Sequence, residues 1–424
     1  MTKMKLKIPF SPPDMSEEEA KEVKEAILSG WITTGPRTKK LEAQISEYVG
    51  TVKAVCLSSA TAAMEMMLHL LDVQPDDEVI VPAYTYTATA SVTQHVGCRL
   101  VMVDSQKDNV EMDYEQLEQA ITERTKVIMP VDIAGIVADY DRVYEIVERK
   151  KKLFRPANAL QAKIGRIVVA ADCAHAFGAV RKGKMAGAIA DFSAFSFHAV
   201  KNFTTAEGGA LTWKLPFGND IVTTDVDYMP TVPKIEDETW NEMLYRISQL
   251  FSLHGQNKDA LAKTKVGMWE YDIIGPWYKC NMTDIMASLG LVQMRRYPKM
   301  LERRQEIVAR YNAALDGLNV VILNHKDAEH CSSHHLYMVR LPGKSRKEVN
   351  RVMEQMAERG IATNVHFKPL PMMTAYKALG FDIADYPNAY HLFENEITLP
   401  LHTRLTDEEV DYVITNFVDI IKNL

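Results

Sequence analysis

The chain has 424 residues, of which 47% are hydrophobic and 25% are charged, an ordinary composition for a folded globular protein. Its formal net charge is -7 and it has no long basic run, which disfavours non-specific binding of nucleic acid. No stretch approaches the roughly 20 apolar residues that span a bilayer, and the first residues lack the apolar segment of a secretory signal.

The predicted elements begin with a helix that opens at a capping box, with Ser16 as N-cap and Glu19 as the third helical residue, and that ends at Gly30. From there to about residue 210, short apolar runs alternate with helical stretches. Strands are predicted at residues 79–81, 100–103, 127–131, 167–171 and 210–213, and helices at residues 114–121 and 140–150. This alternation predicts an α/β fold in which helices cover both faces of a mostly parallel sheet.

The rest of the chain predicts a smaller α+β unit. A charged helix is expected around residues 300–315 and a strand at 336–341, followed by helices that open at capping boxes of Ser345 with Glu348 and of Thr406 with Glu409. We therefore predict a large domain at residues 1–290 and a small C-terminal domain at 291–424. Residues 216–263, with a helical patch near 243–251, form an atypical insert, since so long a loop is uncommon in a compact domain.

The cysteines are five, an odd number, and lie far apart, at Cys56, Cys98, Cys173, Cys280 and Cys331. This spacing argues against a disulfide framework and favours a reducing compartment, so we predict a cytoplasmic protein. Residues 330–335 contain three histidines and a cysteine, but there is no second group at zinc-binding spacing. We expect a polar loop there and no metal site.

Three separated segments carry groups that suit one ligand. Thr61 and Ala62 start an apolar helix whose free N–H groups could hold a phosphate, although such residues are more often simple caps. Asp172 ends a buried strand, where a carboxylate needs a cationic partner such as a protonated pyridine nitrogen, although a lone Asp is more often a turn residue. Lys201 follows a strand in apolar surroundings that lower the basicity of an amine, although a surface lysine is the commoner case. Together, in this order, they describe a pyridoxal phosphate site.

The same segments resemble those of the DegT-like family of sugar aminotransferases. The likeness extends from residues 30–36 to residues 399–401, and its motifs lie at residues 59–62, 174–176, 195–202, 206–209 and 278–284. The resemblance implies a fold type I enzyme dependent on pyridoxal 5'-phosphate, with a large, mostly parallel sheet of the seven-stranded type. It further implies transfer of an amino group from glutamate or glutamine to the keto group of a nucleotide-linked sugar, such as a UDP-4-ketopentose or a UDP-4-keto-6-deoxyhexose.

The resemblance also assigns roles around the cofactor ring. Lys201 would bind the cofactor covalently and then move the proton between substrate and cofactor. Asp172 would keep the pyridine nitrogen protonated, His175 would lie near the ring oxygen, and Tyr86 would stack on the ring.

The remaining roles concern the phosphate and the sugar. Thr61, Ala62 and Ser196 would hold the phosphate together with Asn281 of the neighbouring subunit, so the working unit would be a homodimer with shared sites. The sugar pocket would be lined by Trp31, Thr33, Thr34 and His366.

Two stretches depart from the family's pattern, an extra loop at residues 154–165 and the stretch after Leu215, and both leave the acceptor sugar open. The alternatives within the fold are a lyase and a cyclitol or ketosugar transaminase. A dehydratase is disfavoured because members of the family that act as dehydratases carry His in place of the lysine at position 201. A non-catalytic regulator that binds the cofactor would need a basic DNA-binding helix pair, and neither end of the chain supplies one.

Overall fold

The computed structural model describes residues 7–223, 229–257 and 270–424. The strands in these ranges are β1 (Ala54–Leu57), β2 (Glu78–Pro82), β3 (Arg99–Val103), β4 (Thr125–Ile128), β5 (Val168–Asp172), β6 (Val180–Arg181), β7 (Lys184–Met185), β8 (Phe192–Ser196), β9 (Gly209–Trp213), β10 (Val321–Ile322), β11 (His330–Cys331), β12 (Tyr337–Arg340) and β13 (Glu396–Leu399). The α-helices are α1 (Glu17–Ser29), α2 (Pro36–Val49), α3 (Ala60–Leu70), α4 (Thr87–Val96), α5 (Tyr114–Ala120), α6 (Tyr140–Lys150), α7 (Ala159–Ile164), α8 (Trp240–Ser252), α9 (Asp284–Leu315), α10 (Arg346–Glu358), α11 (Thr374–Ala378), α12 (Pro387–Glu394) and α13 (Asp407–Lys422).

The centre of the fold is a seven-stranded sheet in the order β1-β9-β8-β5-β4-β2-β3. Strand β9 runs antiparallel to both of its neighbours, while the pairs from β8 to β3 are all parallel. An apolar cluster lies on each face of this sheet, and the strands between them are buried, as their continuous apolar runs require. The predicted α/β architecture with a mostly parallel sheet is confirmed.

The strand register brings the prospective site residues to one edge of the sheet. Asp172 is the last residue of β5 and Ser196 the last residue of β8. Because β9 runs in the opposite direction, its first residue, Gly209, pairs with Ser196 on one side and with Leu57 at the end of β1 on the other. Ligands of open α/β sheets bind outside this edge, where the parallel strands end.

The C-terminal part of the chain builds a second, antiparallel sheet in the order β10-β12-β13. Its core includes Tyr337, Val352 and Phe417, and it also contains Ile8 from the other end of the chain. The backbone N–H of Ile8 donates to Gly360 O at 2.8 Å, and the N–H of Ala362 donates to Ile8 O at 3.0 Å. The division near residue 290 stays a prediction; α9 runs across that position.

Local signals were reliable where a cap fixes the end of an element. The capping boxes at Ser16, Ser345 and Thr406 are all present, and Gly30 ends α1 in the left-handed conformation at φ 80°. The strand expected at 127–131 ends earlier, at Ile128, because Pro130 lacks the N–H group that would continue the ladder.

Three expectations differ from the structure. The helix expected at 300–315 begins at Asp284, and the loop expected at 154–165 contains α7, which is capped by Asn158. The polar loop expected at 330–335 begins with β11, paired with β6. In the insert at 216–263, α8 is present, whereas residues 224–228 and 258–263 lie outside the described residues.

Among the described residues, no helix is both long and apolar enough to cross a membrane. These residues also contain no group of three or more His, Cys, Asp or Glu side chains arranged to hold a metal ion.

Candidate active site

A cavity of about 440 Å³ lies where the parallel strands end. Its lining draws on the first turn of α3, the ends of β5 and β8, and the segment around residue 366. The predicted site residues that line it are Thr61, Tyr86, Asp172, His175, Ser196, Lys201 and His366. The structure therefore brings most of the predicted cofactor residues into one space.

The start of α3 forms one wall of the cavity. Ser59 is the N-cap, and its Oγ accepts a hydrogen bond from the N–H of Ala62 at 3.0 Å. A Cβ atom on Gly209 would lie 2.4 Å from the carbonyl carbon of Ser59, so only glycine lets β9 approach the start of this helix so closely. The helix dipole and the N–H groups of the first turn favour an anion such as a phosphate at this wall.

Asp172 is buried at the end of β5, with 4% of its surface exposed. Its Oδ2 accepts a hydrogen bond from Thr89 Oγ1 at 2.7 Å, and its Oδ1 accepts one from the N–H of Ala174 at 3.0 Å. Burial raises the pKa of this carboxyl, while the two hydrogen bonds and the charge of Lys201 oppose the rise. Both donors are neutral, so a cationic group of a ligand would stabilise the carboxylate further.

Lys201 follows β8, and its backbone N–H donates to His198 O at 2.9 Å. Burial in the cavity lowers the pKa of the Lys201 amine to about 8, and the charge of Asp172 limits the shift. An amine with such a pKa is partly neutral near neutral pH, and the neutral form is the nucleophile.

His175 lines the cavity together with Asp172, and its ring lies among other rings. The N–H of Ala134 donates to His175 Nδ1 at 3.2 Å, which leaves the proton of the neutral ring on Nε2. The ring centroid of His335 lies 4.4 Å away and that of Phe367 lies 5.9 Å away. Burial, together with the positive charge of Lys201, lowers the pKa of His175 well below its ordinary value, so the ring remains neutral.

Tyr86 is 61% exposed and lines the cavity. Its ring centroid lies 6.2 Å from that of Phe367. An accessible aromatic face suits stacking with a planar ligand.

Four predicted residues, Trp31, Thr33, Thr34 and Asn281, are not among those lining this chain's cavity, and neither is Ala62. Asn281 Nδ2 donates to Thr34 Oγ1, and Thr34 Oγ1 donates to Met282 O at 2.7 Å. The N–H of Asp284 donates to Thr33 O at 2.9 Å. Asn281, Thr33 and Thr34 thus form a cluster of their own, next to the start of α9.

The sequence reasoning missed Phe10, His335 and Phe367, which line the cavity, and Thr89, which donates to Asp172. Phe10 stacks on His366 with 5.6 Å between ring centroids, and nearby Ser11 Oγ donates to Val200 O at 3.2 Å. These contacts join segments far apart in the chain, so no local sequence pattern predicts them. For Thr89, the only pattern in the sequence was the group of small hydroxyl residues after Tyr86.

These features fit pyridoxal 5'-phosphate. The glycine-dependent approach of β9 to α3 leaves a phosphate wall, Asp172 offers a buried carboxylate for a protonated ring nitrogen, and Lys201 offers an amine of lowered pKa for the aldehyde.

Residues 13–418 match the sequence pattern of the DegT/DnrJ/EryC1/StrS aminotransferase family. The chain belongs to this family. The aminotransferase is 33% identical over 423 residues to the spore coat polysaccharide biosynthesis protein SpsC of Bacillus subtilis, covering 98% of this chain and 97% of that one. Its fold matches Spr1654 of Streptococcus pneumoniae, assigned as a sugar aminotransferase and solved in its PLP-form, at TM-score 0.89 and 54% identity over 99% of both chains.

A third similar protein is Helicobacter pylori PseC, an aminotransferase involved in the biosynthesis of pseudoaminic acid. Its structure matches at TM-score 0.81 and 27% identity, covering 99% of this chain and 100% of that one. This chain is thus a sugar aminotransferase of fold type I, and its cofactor is pyridoxal 5'-phosphate. The cofactor supplies an aldehyde that takes up the amino group and a ring that stabilises negative charge on the substrate carbon.

Proposed function

We propose that this aminotransferase moves an amino group from glutamate or glutamine to the keto group of a nucleotide-linked sugar, such as a UDP-4-ketopentose or a UDP-4-keto-6-deoxyhexose. The observation that carries the proposal is the cavity itself, in which Lys201 and Asp172 share one space with the polar side chains of His198, Glu207 and His366. His198 Nε2 lies 3.5 Å from Glu207 Oε1. Such groups suit a ligand with several hydroxyls, since each hydroxyl both donates and accepts.

Two resemblances support the substrate class. The motifs around residues 59–62, 195–202 and 278–284 also resemble those of the UDP-4-amino-4-deoxy-L-arabinose–oxoglutarate aminotransferase, which favours a UDP-linked acceptor. The roles of SpsC in the biosynthesis of a spore coat polysaccharide and of PseC in that of pseudoaminic acid favour an amino sugar as product.

The residues around the ring receive the following roles. Lys201 holds the cofactor and, once released by the amino donor, moves the proton to and from the substrate carbon; a pKa of about 8 suits both tasks near neutral pH. Asp172 pairs with the ring nitrogen. His175, with its proton on Nε2, can donate a hydrogen bond to the ring oxygen, and Tyr86 stacks on the ring face.

Thr61, Ala62 and Ser196 form the phosphate site. The N–H of Ala62 already donates to the Ser59 cap, so Ala62 contributes by shaping the start of the helix.

We further propose a homodimer in which Asn281 of each subunit contacts the cofactor phosphate of the other subunit. In this arrangement Trp31, Thr33 and Thr34 of each subunit line the sugar pocket of the other. The position of these residues outside their own cavity supports this arrangement. The cytoplasmic location stays a prediction, in keeping with five free cysteines.

The test follows the cofactor's absorbance in two half-reactions. Glutamate or glutamine should convert the cofactor to its amine form, and a panel of UDP-linked and other nucleotide-linked ketosugars should restore the original spectrum. The Lys201→Ala variant provides the control without turnover. Restoration by a cyclitol ketone or a free ketosugar, with no response to any nucleotide-linked ketosugar, would contradict the proposed acceptor.

A further inference from the structure

Strand β13 carries two polar side chains into the interior. Glu396 and Thr398 are two residues apart and therefore lie on the same face of the strand, while Ile397 and Leu399 join the apolar core on the other face. Both polar residues have 0% of their surface exposed. Buried polar groups require hydrogen-bond partners, and here both find them in His366 at the cavity wall.

The hydrogen bonds form a continuous chain. Glu396 Oε2 accepts from the backbone N–H of His366 at 3.0 Å. Glu396 Oε1 shares a short hydrogen bond with Thr398 Oγ1, which lies 2.9 Å from His366 Nδ1. On the other side, Tyr84 donates its hydroxyl proton to His366 O at 2.5 Å. The His366 backbone is thus held from two sides, and its ring is linked to the carboxyl through a single hydroxyl.

Which groups donate and which accept in the hydrogen bonds from Glu396 to His366 depends on one proton. Oε2 accepts from a backbone N–H, whereas Oε1 faces the Thr398 hydroxyl, which can accept a hydrogen bond. A proton on Glu396 that takes part in this network therefore resides on Oε1. A threonine hydroxyl has only one hydrogen to give. If Glu396 is ionised, Thr398 donates to Oε1 and accepts from His366 Nδ1–H, which leaves Nε2 as an acceptor. If Glu396 is protonated, it donates to Thr398, Thr398 donates to Nδ1, and the ring carries its proton on Nε2 as a donor.

We propose that Glu396, acting through Thr398, is a positioning residue that sets the tautomer of His366 and thereby decides whether His366 donates a hydrogen bond to a ligand in the cavity or accepts one. The identity of that ligand as a nucleotide-linked sugar rests on the proposed function; the coupling between Glu396 and the tautomer does not.

The charges around the pair are compatible with this coupling. Burial raises the pKa of Glu396 to about 8, and the hydrogen bonds from Thr398 and the His366 N–H oppose the rise, as does the charge of Arg346 on α10. Burial, with the charge of Lys201, lowers the pKa of His366 to about 3, so the imidazole remains neutral while Glu396 titrates. Tyr84 faces Glu396 from the segment after β2, with Arg340 of β12 nearby. On the cavity side, His335 and His175 face His366.

The test is nitrogen NMR of the holoenzyme labelled at histidine, with the spectrum of His366→Asn used for assignment. In the wild type, His366 should change from the Nε2–H form to the Nδ1–H form as the pH rises through about 8. In Glu396→Gln the amide reproduces the protonated carboxyl, so His366 should hold the Nε2–H form from about pH 6 to about pH 10. Thr398→Ser should behave as the wild type, whereas Thr398→Val should uncouple the ring from Glu396.

A wild-type tautomer that stays the same across this range, or a Glu396→Gln variant that titrates like the wild type, would overturn the proposal. Kinetics add a second readout. Lys201 also titrates near this pH and affects all variants alike. The change in the KM for the ketosugar with pH should be about 5- to 10-fold larger in the wild type and in Thr398→Ser than in Glu396→Gln. If the NMR result is as expected and no nucleotide-linked ketosugar is a substrate, the coupling stands and the proposed function fails.

Discussion

The Lys201 amine is the group on which the covalent chemistry of the proposed mechanism depends. Replacing it with alanine should abolish the absorbance of the covalently attached cofactor and all transamination, because no other amine is assigned to the aldehyde. The fold should persist, as measured by circular dichroism. Lys182→Ala is a matched control, since the Lys182 amine pairs with Asp141 at the surface at 2.6 Å. Borohydride reduction of the wild type followed by peptide mapping should locate the cofactor on Lys201, and an adduct on a different lysine would refute the assignment.

Thr89 provides a second test at this scale, since its hydroxyl donates to Asp172. Thr89→Val removes a hydrogen bond to a charged group, worth about 1.5–3 kcal/mol. The rate of the glutamate half-reaction should therefore fall about 10- to 100-fold, while Thr89→Ser should retain most of it. Loss of the donor raises the pKa of the carboxyl further, so the defect should be largest at low pH and diminish as the pH rises.

Asp172→Asn removes the charge altogether and should slow the same half-reaction by orders of magnitude at every pH. If stopped-flow absorbance gave wild-type rates for Asp172→Asn with cofactor bound, Asp172 would be only a structural cap.

Residues with a local signature were predictable, whereas partners brought together by the fold were not. Asp172 and Lys201 each follow an apolar run, which the sequence displays directly. Thr89 and Asp172 are 83 positions apart, and the contact exists only because α4 begins at the edge of the sheet where β5 ends. The same holds for Phe10, which reaches His366 from the opposite end of the chain.

At the scale of elements, the caps were the most dependable signals and the long helix was the least. Residues 300–315 carry a charged, amphipathic pattern, but the first half of α9 is packed on neighbouring elements and loses that pattern. Its Gly290 lies so close to α2 that an added Cβ would be 2.6 Å from Leu41. A helix buried on several sides has no single apolar stripe, so the periodicity of its sequence does not predict it.

The contact between β9 and α3 predicts the effect of Gly209→Ala. The added methyl group would meet the backbone of Ser59, and a backbone atom cannot rotate away. The start of α3 should shift, with a loss of stability of about 1–3 kcal/mol and a cofactor dissociation constant raised about 10-fold or more. Fluorescence titration of the apoenzyme with pyridoxal phosphate would measure the second effect.

Gly317→Ala serves as the control for this variant. Gly317 has φ 74° and open space around it, so alanine should cost about 1 kcal/mol through backbone strain alone. Cofactor affinity should remain as in the wild type. Equal cofactor affinity in Gly209→Ala and Gly317→Ala would show that the close approach of β9 does not shape the phosphate wall.

For the whole molecule, the shared-site dimer predicts complementation between two defective chains. A mixed dimer of Lys201→Ala and Asn281→Ala should contain one site with both the intact lysine and the intact asparagine. Activity after mixing and refolding should therefore exceed that of either homodimer, provided that Asn281→Ala alone lowers activity. Mixed dimers that form without any gain would place each site within one chain.

The buried histidines predict how stability depends on pH. Burial lowers the pKa of His325 to about 3, of His334 to about 4 and of His366 to about 3. The unfolded chain binds protons at these residues below its ordinary pKa of about 6.5, whereas the folded chain does not. Their stabilising contribution is complete above about pH 6.5 and is lost as the pH falls towards 3 to 4.

Each fully titrating histidine should contribute up to about 1.4 kcal/mol per pH unit to the decline. Urea unfolding at a fixed protein concentration would measure it, and His325→Asn should reduce the slope. Equal slopes for the wild type and His325→Asn between about pH 6.5 and pH 4 would contradict this prediction. The two proteins are compared because Glu396, whose pKa is raised, opposes the histidines equally in both.

The position of Ile8 has a consequence for how the molecule is made. Ile8 bonds to Gly360 and Ala362, and the residues that follow it bring Phe10 to the cavity. A ribosome adds about 5–20 residues per second, so roughly 20 to 70 s separate the synthesis of Ile8 from that of its partners. During that interval the strands β1 to β9 can already pair, while the wall formed by Phe10 and His366 does not yet exist. A nascent chain should therefore bind the cofactor firmly only after the last part of the chain has left the exit tunnel.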